Sequence, residues 1–195
     1  MRLFVAFVPS REAVDHLAES LETLRNSPPW SSLPGIRWVP PERWHVTLAF
    51  LGEVNERIIP QITLALHNAA QQHALLQSLQ LHGLGRFPSV LWVGLQPTAR
   101  FSPTARLARS VQRAVRQAGV PIERRPWRAH LTVARLRGLP SADALPALPT
   151  YCGPTWSVQT LQLIQSVTGP DPSYRLIDQC NLAASVVSHP PRPGD

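Results

Sequence analysis

The most constraining feature of this chain is a four-residue pattern that occurs twice: His, an aliphatic residue, Thr, and a second aliphatic residue. It reads His45-Val46-Thr47-Leu48 in the first half and His130-Leu131-Thr132-Val133 in the second, and an Arg stands two residues before each His. Alternate residues of a β-strand point to the same face. Each segment therefore predicts a strand that exposes its His and Thr and buries its two aliphatic side chains.

The segments around the two patterns repeat a strand–helix–strand order. Hydrophobic periodicity predicts strands at 3–8, 36–39, 45–51, 75–84, 90–95, 122–123, 130–136, 156–165 and 174–181. It predicts helices that begin at the caps Ser10, Asn55 and Ser102 and end near Arg25, His73 and Gly119. We expect an α+β fold of two pseudo-symmetric lobes of antiparallel sheet with outer helices, around a central cleft that carries the two His-x-Thr motifs.

The chain has 195 residues, which favours one bilobal domain over 1–182, and its Pro-rich end, 183–195, is expected to be disordered. The two cysteines form no CxxC pair, which argues against a zinc site and fits a reducing compartment. No apolar run approaches the ~20 residues of a membrane span. We expect a cytoplasmic monomer with no membrane partner.

All 19 basic residues are Arg, and the chain has no Lys. This excludes a P-loop, a Schiff base and a lysyl-nucleotide intermediate. The formal net charge of +7 favours anionic partners such as nucleic acid. An Arg-biased genome would produce the same composition, and the sequence does not separate the two explanations.

If the two lobes face each other, both His-Thr pairs meet in one cleft. One imidazole can then act as a base while the other acts as an acid, and Thr hydroxyls can donate hydrogen bonds to phosphate oxygens. This arrangement suits in-line attack on a phosphodiester without a metal or a cofactor. The residues alone leave open which His is the acid, and a purely structural role for the strand faces is the alternative.

The chain resembles the 2H phosphoesterases, and within them the bacterial and archaeal RNA 2′,3′-cyclic phosphodiesterases, also called 2′-5′ RNA ligases. The resemblance rests on the two HxTx motifs and extends over roughly residues 2–180, including Leu91-Trp92-Val93-Gly94 and Tyr174. The chain departs from the family in having Ala129 where Pro is usual and Trp44 where Leu is frequent. We expect these changes to affect loop rigidity or packing more than chemistry.

The resemblance implies a role for each site residue. His45 would be the proton donor and His130 the proton acceptor in hydrolysis of a 2′,3′-cyclic phosphate to a 2′-phosphate. Thr47, Thr132 and Arg135 would bind the phosphate. Strict strand alternation turns Arg135 away from His130, so this role requires a bulge near Ala134. RNA with a cyclic phosphate end is the implied partner, and a 5′-hydroxyl end would be a second one in ATP-independent ligation.

Further arginines flank the second motif. Arg106, Arg109, Arg113 and Arg116 share one face of the third predicted helix, where they contact either RNA or only solvent. Possible RNA contacts are Arg124, Arg125 and Arg128, which lead into the motif.

The other aromatic and histidine residues give weaker signals. Trp44 and Trp127 could stack on a base, whereas Phe50 and Trp92 are expected in the core. His16, His67, His73, His82 and His189 show no partner pattern.

Two other functions remain open at this stage. The chain could be an RNA- or nucleotide-binding module that does not turn over its ligand. It could also be a 2H phosphodiesterase for another small cyclic phosphodiester.

Overall fold

The computed structural model describes residues 1–97, 102–123, 126–137, 148–167 and 173–184. Three α-helices and nine strands lie within these ranges. The helices are α1 (Arg11–Asn26), α2 (Ile59–Gln71) and α3 (Pro103–Gln117). The strands are β1 (Arg2–Phe7), β2 (Ile36–Trp38), β3 (Val46–Glu53), β4 (Leu76–Phe87), β5 (Val90–Gln96), β6 (His130–Leu136), β7 (Cys152–Val158), β8 (Thr160–Val167) and β9 (Ser173–Asn181).

The nine strands form one strongly curled antiparallel sheet, in the order β7-β4-β5-β6-β3-β1-β8-β9, and β2 pairs with β6. The α+β class is confirmed. The two motif strands, β3 and β6, are neighbours at the middle of this order. We call β3, β1, β8 and β9 the His45 half of the sheet, and β6, β5, β4 and β7 the His130 half.

The expected caps set two of the three helix starts. The Oγ of Ser10 accepts a hydrogen bond from the Ala13 N–H, and the Oγ of Ser102 accepts one from the Ala105 N–H. These bonds satisfy backbone donors that the first turn of a helix leaves unpaired. Asn55 instead caps a short 3₁₀ turn, Glu56–Ile58, and α2 begins only at Ile59. Pro60 then lies in the first turn of α2, where its missing N–H costs nothing.

Three strand predictions need correction. Residues 122–123 are not in a strand. The single strand predicted at 156–165 is two strands, because β7 pairs with β4 whereas β8 pairs with β1 in the other half of the sheet. The chain changes halves at Gln159. The predicted strand at 75–84 continues to Phe87, where it pairs with the start of β5.

The end of the described chain is held in place: the Ala183 N–H donates to the His73 carbonyl at 2.9 Å. Residues 168–172 lie outside the described residues, and so does 185–195, most of the segment expected to be disordered. No helix among the described residues is long and apolar enough to cross a membrane.

The two faces of the sheet differ in what covers them. Leu3, Val5 and the inner faces of all three helices belong to the main core. Phe4 alternates with Leu3 and Val5 along β1, so it points to the opposite face. There it forms a small cluster with Ala6 and Ile164, against which Tyr174 packs. This second face carries the candidate site, because the ring of His45 lies 4.7 Å from that of Phe4.

Candidate active site

The two His-x-Thr segments lie side by side where the halves of the sheet meet. Val46 of β3 pairs with Leu131 of β6, and both side chains are fully buried. Thr47 and Thr132 are partly exposed, as alternation along each strand predicts. The pattern therefore presents both His-Thr pairs on the face away from the main core.

A backbone carbonyl group two residues earlier in the chain orients each of the two candidate catalytic imidazoles. The Nδ1 of His45 lies 2.8 Å from the Arg43 carbonyl oxygen, and the Nδ1 of His130 lies 2.8 Å from the Arg128 carbonyl oxygen. A carbonyl oxygen can only accept, so Nδ1 carries the hydrogen in both rings. Nε2 is therefore the nitrogen that gains or loses a proton on each side of the site.

Aromatic rings pack against the sides of both imidazoles. Besides Phe4, the edge of Tyr174 contacts His45, at 5.4 Å between ring centroids. On the other side, Phe87 and Trp92 lie edge-on to His130, at 5.3 and 6.5 Å. Such contacts limit ring rotation, and so fix the direction of both Nε2 atoms.

The charges around His45 show which groups share the site with it. Burial lowers the pKa of His45 below its ordinary value, because the charged imidazolium loses hydration. The bond to the Arg43 carbonyl raises the pKa, whereas the positive charges of Arg43, His130 and Arg135 lower it further. His130 and Arg135 thus lie close enough to His45 to repel its proton.

Arg135 reaches this face through a β-bulge. Trp92 pairs with Thr132, but the next pair is Leu91 with Ala134, so Val133 is an extra residue on β6. Val133 and Ala134 are both buried, and Arg135 is exposed. The bulge reverses the alternation and returns Arg135 to the face of Thr132. This is the irregularity near Ala134 that the predicted role of Arg135 requires.

The same irregularity occurs on β3 and corrects the expectation for Phe50. Val5 pairs with Ala49 and Ala6 pairs with Thr47, so Leu48 is the extra residue. Leu48 and Ala49 are both buried, and Phe50 is 67% exposed. The prediction that Phe50 lies in the core is wrong, because it assumed a regular strand. Phe50 occupies the position in the His45 half that Arg135 occupies in the His130 half.

Two of the tryptophans, Trp44 and Trp92, also differ from expectation. Trp44 is buried and its Nε1–H donates to the Val39 carbonyl, so its ring is part of the core and does not stack on a ligand. Trp127 donates through Nε1 to the Thr47 carbonyl at 2.8 Å, which ties the segment before β6 to β3. Trp92, expected in the core, is only partly buried and lies beside His130.

His130 lines one cavity, and a second cavity shares part of the lining of the first. One has a volume of about 740 Å³ and is lined by Thr47, Phe50, Phe87 and His130, among others. The second has a volume of about 1180 Å³ and is lined in part by Trp92 and by residues of α3. The two cavities share Gln112, Pro126, Trp127 and Arg128. Of the three arginines predicted before the second motif, Arg128 thus lines both cavities, whereas Arg124 and Arg125 lie outside the described residues.

Two residues of the site were missed at the sequence level. The guanidinium of Arg43 lies over the ring of Tyr174 at 4.8 Å, beside His45. The signal for Arg43 was present, because an Arg precedes each His by two residues. Phe87 packs on His130 from the end of β4, and no local pattern pointed to it.

One group of described residues has the chemistry of a metal site. The donor atoms of His67, Asp178 and Cys180 all lie within 4.8 Å of one another, and His67 Nε2 lies 2.9 Å from an Asp178 oxygen. His67 therefore has a partner that the sequence did not predict. Cys180 belongs to the main core, on the face away from His45, so this group takes no part in the candidate active site.

Comparisons with known proteins agree with this geometry. The sequence model of one family, the 2′-5′ RNA ligase superfamily, matches residues 5–170. An RNA 2′,3′-cyclic phosphodiesterase of Geobacillus stearothermophilus is 35% identical over 136 residues, which are 61% of this chain and 42% of that protein. A protein of the same name from Aeropyrum pernix is 29% identical over 175 residues, 85% of this chain and 96% of its own length. A crystal structure from Thermus thermophilus matches with a TM-score of 0.77 at 26% identity, covering 95% of this chain and all of that one (100%).

Proposed function

This chain belongs to the 2′-5′ RNA ligase superfamily, and from that premise we propose that it hydrolyses the 2′,3′-cyclic phosphate at the end of an RNA to a 2′-phosphate. The observation that carries the proposal is the pair of imidazoles with matching Nδ1 bonds, each next to one member of the strand pair Val46–Leu131. The relatives named RNA 2′,3′-cyclic phosphodiesterase support the substrate class. We further propose that the two halves of the sheet act as pseudo-symmetric lobes with the substrate phosphate in the cleft between them.

In the proposed reaction, His130 is the base. Its Nε2 removes a proton from a water molecule as the water oxygen attacks phosphorus, in line with the bond to the 3′-oxygen. That bond breaks, and the Nε2–H of His45 protonates the departing 3′-oxygen. The products are a 2′-phosphate and a 3′-hydroxyl, with His130 protonated and His45 neutral; a proton exchanged with solvent on each side restores the starting state.

Binding of the substrate prepares His45 for its role. Burial and the positive charges of Arg43 and Arg135 hold the pKa of His45 down. The negative charge of a phosphodiester in the cleft opposes this effect and favours the imidazolium. Thr47 and Thr132 donate hydroxyl hydrogen bonds to the non-bridging oxygens, and Arg135 supplies a charge-assisted contact that strengthens as charge builds up there.

Ligation is the same chemistry with a different nucleophile. A 5′-hydroxyl takes the place of water, loses its proton to His130 and attacks phosphorus. His45 protonates the 3′-oxygen, and a 2′-5′ phosphodiester forms. No ATP is needed, because the bond that breaks already lies in the cyclic phosphate.

The test is an assay with a nucleoside 2′,3′-cyclic phosphate in excess EDTA. We expect conversion to the nucleoside 2′-phosphate. A 3′-phosphate product would contradict the assignment of the 3′-oxygen as leaving group, and loss of activity in EDTA would contradict a metal-free reaction. Tight binding without conversion would identify a binding module instead. The His45→Ala/His130→Ala double variant is the control for contaminating phosphodiesterases.

A further inference from the structure

The larger of the two cavities continues from the candidate active site along α3, and we call it the α3 groove. Its lining includes Trp92, whose ring lies 6.5 Å from that of His130. It shares Trp127 and Arg128 with the cavity that contains His130. A ligand that extends past His130 on this side therefore enters the α3 groove.

The structure divides the four arginines of α3 into two pairs. Arg109 and Arg116 line the α3 groove together with Gln112, at the spacing of one helical stripe. Arg106 lies near His73, whose pKa its positive charge lowers in addition to the effect of burial. Arg106 and Arg113 do not line the groove. The four arginines share one helix face in the sequence, but in the structure only Arg109 and Arg116 line the α3 groove.

The chemistry of the α3 groove matches a nucleic acid strand. Arg109, Arg116 and Arg128 provide three guanidinium groups, and no Asp or Glu occurs among the described residues that line the groove. Trp92 and Trp127 provide aromatic surfaces on which bases can stack. Guanidinium groups bind phosphate oxygens in pairs, and alternation of cations with aromatic rings is typical of single-strand binding sites.

The size of the α3 groove indicates more than one nucleotide. Its volume of about 1180 Å³ exceeds the ~300–1000 Å³ typical of small-molecule pockets. It also lies beyond the cavity of about 740 Å³ that holds Thr47 and His130. If the terminal nucleotide occupies the smaller cavity, the α3 groove is available to the nucleotides that precede it in the RNA chain.

We propose that the α3 groove binds the RNA strand on the 5′ side of the terminal cyclic phosphate, so that the preferred substrate is an RNA end rather than a mononucleotide. This inference rests on the proposed phosphodiesterase activity and adds to it a binding site for the nucleotides that precede the reacting end. Arg109 and Arg116 contact backbone phosphates, and Trp92 and Trp127 stack against bases.

The experiment compares two substrates: a nucleoside 2′,3′-cyclic phosphate and a short oligoribonucleotide with the same terminal nucleoside and cyclic phosphate. We expect the wild-type protein to have a kcat/KM at least roughly 10-fold higher for the oligoribonucleotide, with most of the difference in KM, because the added contacts bind phosphates. In Arg109→Gln/Arg116→Gln the ratio of the two kcat/KM values falls towards one. The matched control, Arg106→Gln/Arg113→Gln, removes the same charge from the same helix and keeps the wild-type ratio.

Salt dependence gives an independent readout. Loss of two phosphate contacts reduces the slope of log(1/KM) against log salt by about 1.4 for the oligoribonucleotide, at about 0.7 per contact to a single strand. The control double variant keeps the wild-type slope.

The outcomes separate this inference from the function on which it rests. If the wild-type protein hydrolyses neither substrate, the proposed function fails. If it hydrolyses both with equal kcat/KM, or if the two double variants change the ratio equally, the α3 groove is not the RNA site and the phosphodiesterase proposal stands. Comparison of thermal unfolding of the variants excludes loss of fold as the cause.

Discussion

The His45 half and the His130 half of the sheet share a backbone design but surround their histidines differently. In both halves Nδ1 bonds to a carbonyl two residues earlier at 2.8 Å, and in both a bulge follows the Thr. After the bulge, the exposed residue is Phe50 in one half and Arg135 in the other. The same local backbone arrangement at both motifs thus holds two imidazoles in the same tautomer, and the side chains around them make the two sides chemically unequal.

The inequality is greatest in hydration and charge. His45 lies among Phe4, Tyr174 and Arg43, and burial is the largest cause of its lowered pKa. The Nδ1 bond of His130 is exposed, whereas that of His45 is partly buried, and His130 lines the cavity next to the α3 groove. In the proposed reaction this difference divides the roles: the more buried His45 gains its proton when an anion binds, and the less buried His130 meets water.

The largest expected effect tests whether both halves are needed. His45→Ala and His130→Ala should each lower kcat by about 10²–10⁴, the usual contribution of a general acid or base.

To distinguish acid from base, the substrate is changed to one with sulfur in place of the bridging 3′-oxygen. A thiol has a pKa near 8.5 and leaves as thiolate without a proton. The measurement is steady-state turnover of both substrates, and we expect the sulfur substrate to restore much of the activity of His45→Ala but not of His130→Ala.

Rescue of His130→Ala in place of His45→Ala would reverse the assignment of roles. Near-normal turnover by either variant would contradict the two-histidine mechanism. His16→Ala is the matched control, because His16 lies on α1 and bonds to Tyr151, outside the site.

The next effect compares the two residues after the bulges. Arg135→Gln should lower kcat/KM by about 10–100-fold for every terminal nucleoside, because charge-assisted hydrogen bonds contribute ~1.5–3 kcal/mol. Phe50→Ala should raise KM by about 5-fold and leave kcat nearly unchanged, because an exposed ring contributes at the low end of the range for base stacking. Phe50→Tyr should retain the wild-type KM. The measurement is kcat and KM for nucleoside 2′,3′-cyclic phosphates with purine and pyrimidine bases.

The contrast would be lost if Phe50→Ala changed kcat as strongly as Arg135→Gln, since both residues would then act on the reacting phosphate. Arg57→Gln controls for removal of one positive charge, because Arg57 is exposed in the 3₁₀ turn before α2.

The smallest effect concerns stability. Because the folded protein holds the pKa of His45 below its unfolded value of about 6.5, the unfolded chain binds more protons as the pH falls through this range. His45 therefore lowers the free energy of unfolding at acid pH and has no such effect above its unfolded pKa. We expect His45→Asn to lose less stability than the wild-type protein between pH 8 and pH 5, measured by urea unfolding.

Identical pH dependence of the two proteins would show that burial does not shift the titration of His45. His73, whose pKa is also lowered, is present in both proteins, so the difference between them isolates His45.

Much of the fold and part of the site follow from local patterns in the sequence. Alternation of His45, Val46 and Thr47 predicts which side chains are buried, because a strand has only two faces. Ser10 and Ser102 mark helix starts for an equally local reason. Longer-range features were not predictable in this way. The break at Gln159 depends on which distant strands β7 and β8 pair with, and the burial of Trp44 depends on the packing of the main core.

The sequence by itself determined that two His-Thr pairs stand on strand faces, that Arg alone supplies the positive charge, and that the chain resembles a phosphoesterase family. Only the tertiary structure decided which neighbours each His has. The bulges after Thr47 and Thr132 arise from pairing with β1 and β5, and they reverse the faces of Phe50 and Arg135. A bulge is a property of two strands in register, so no local pattern of one strand reveals it. The unequal halves of the site follow from that pairing.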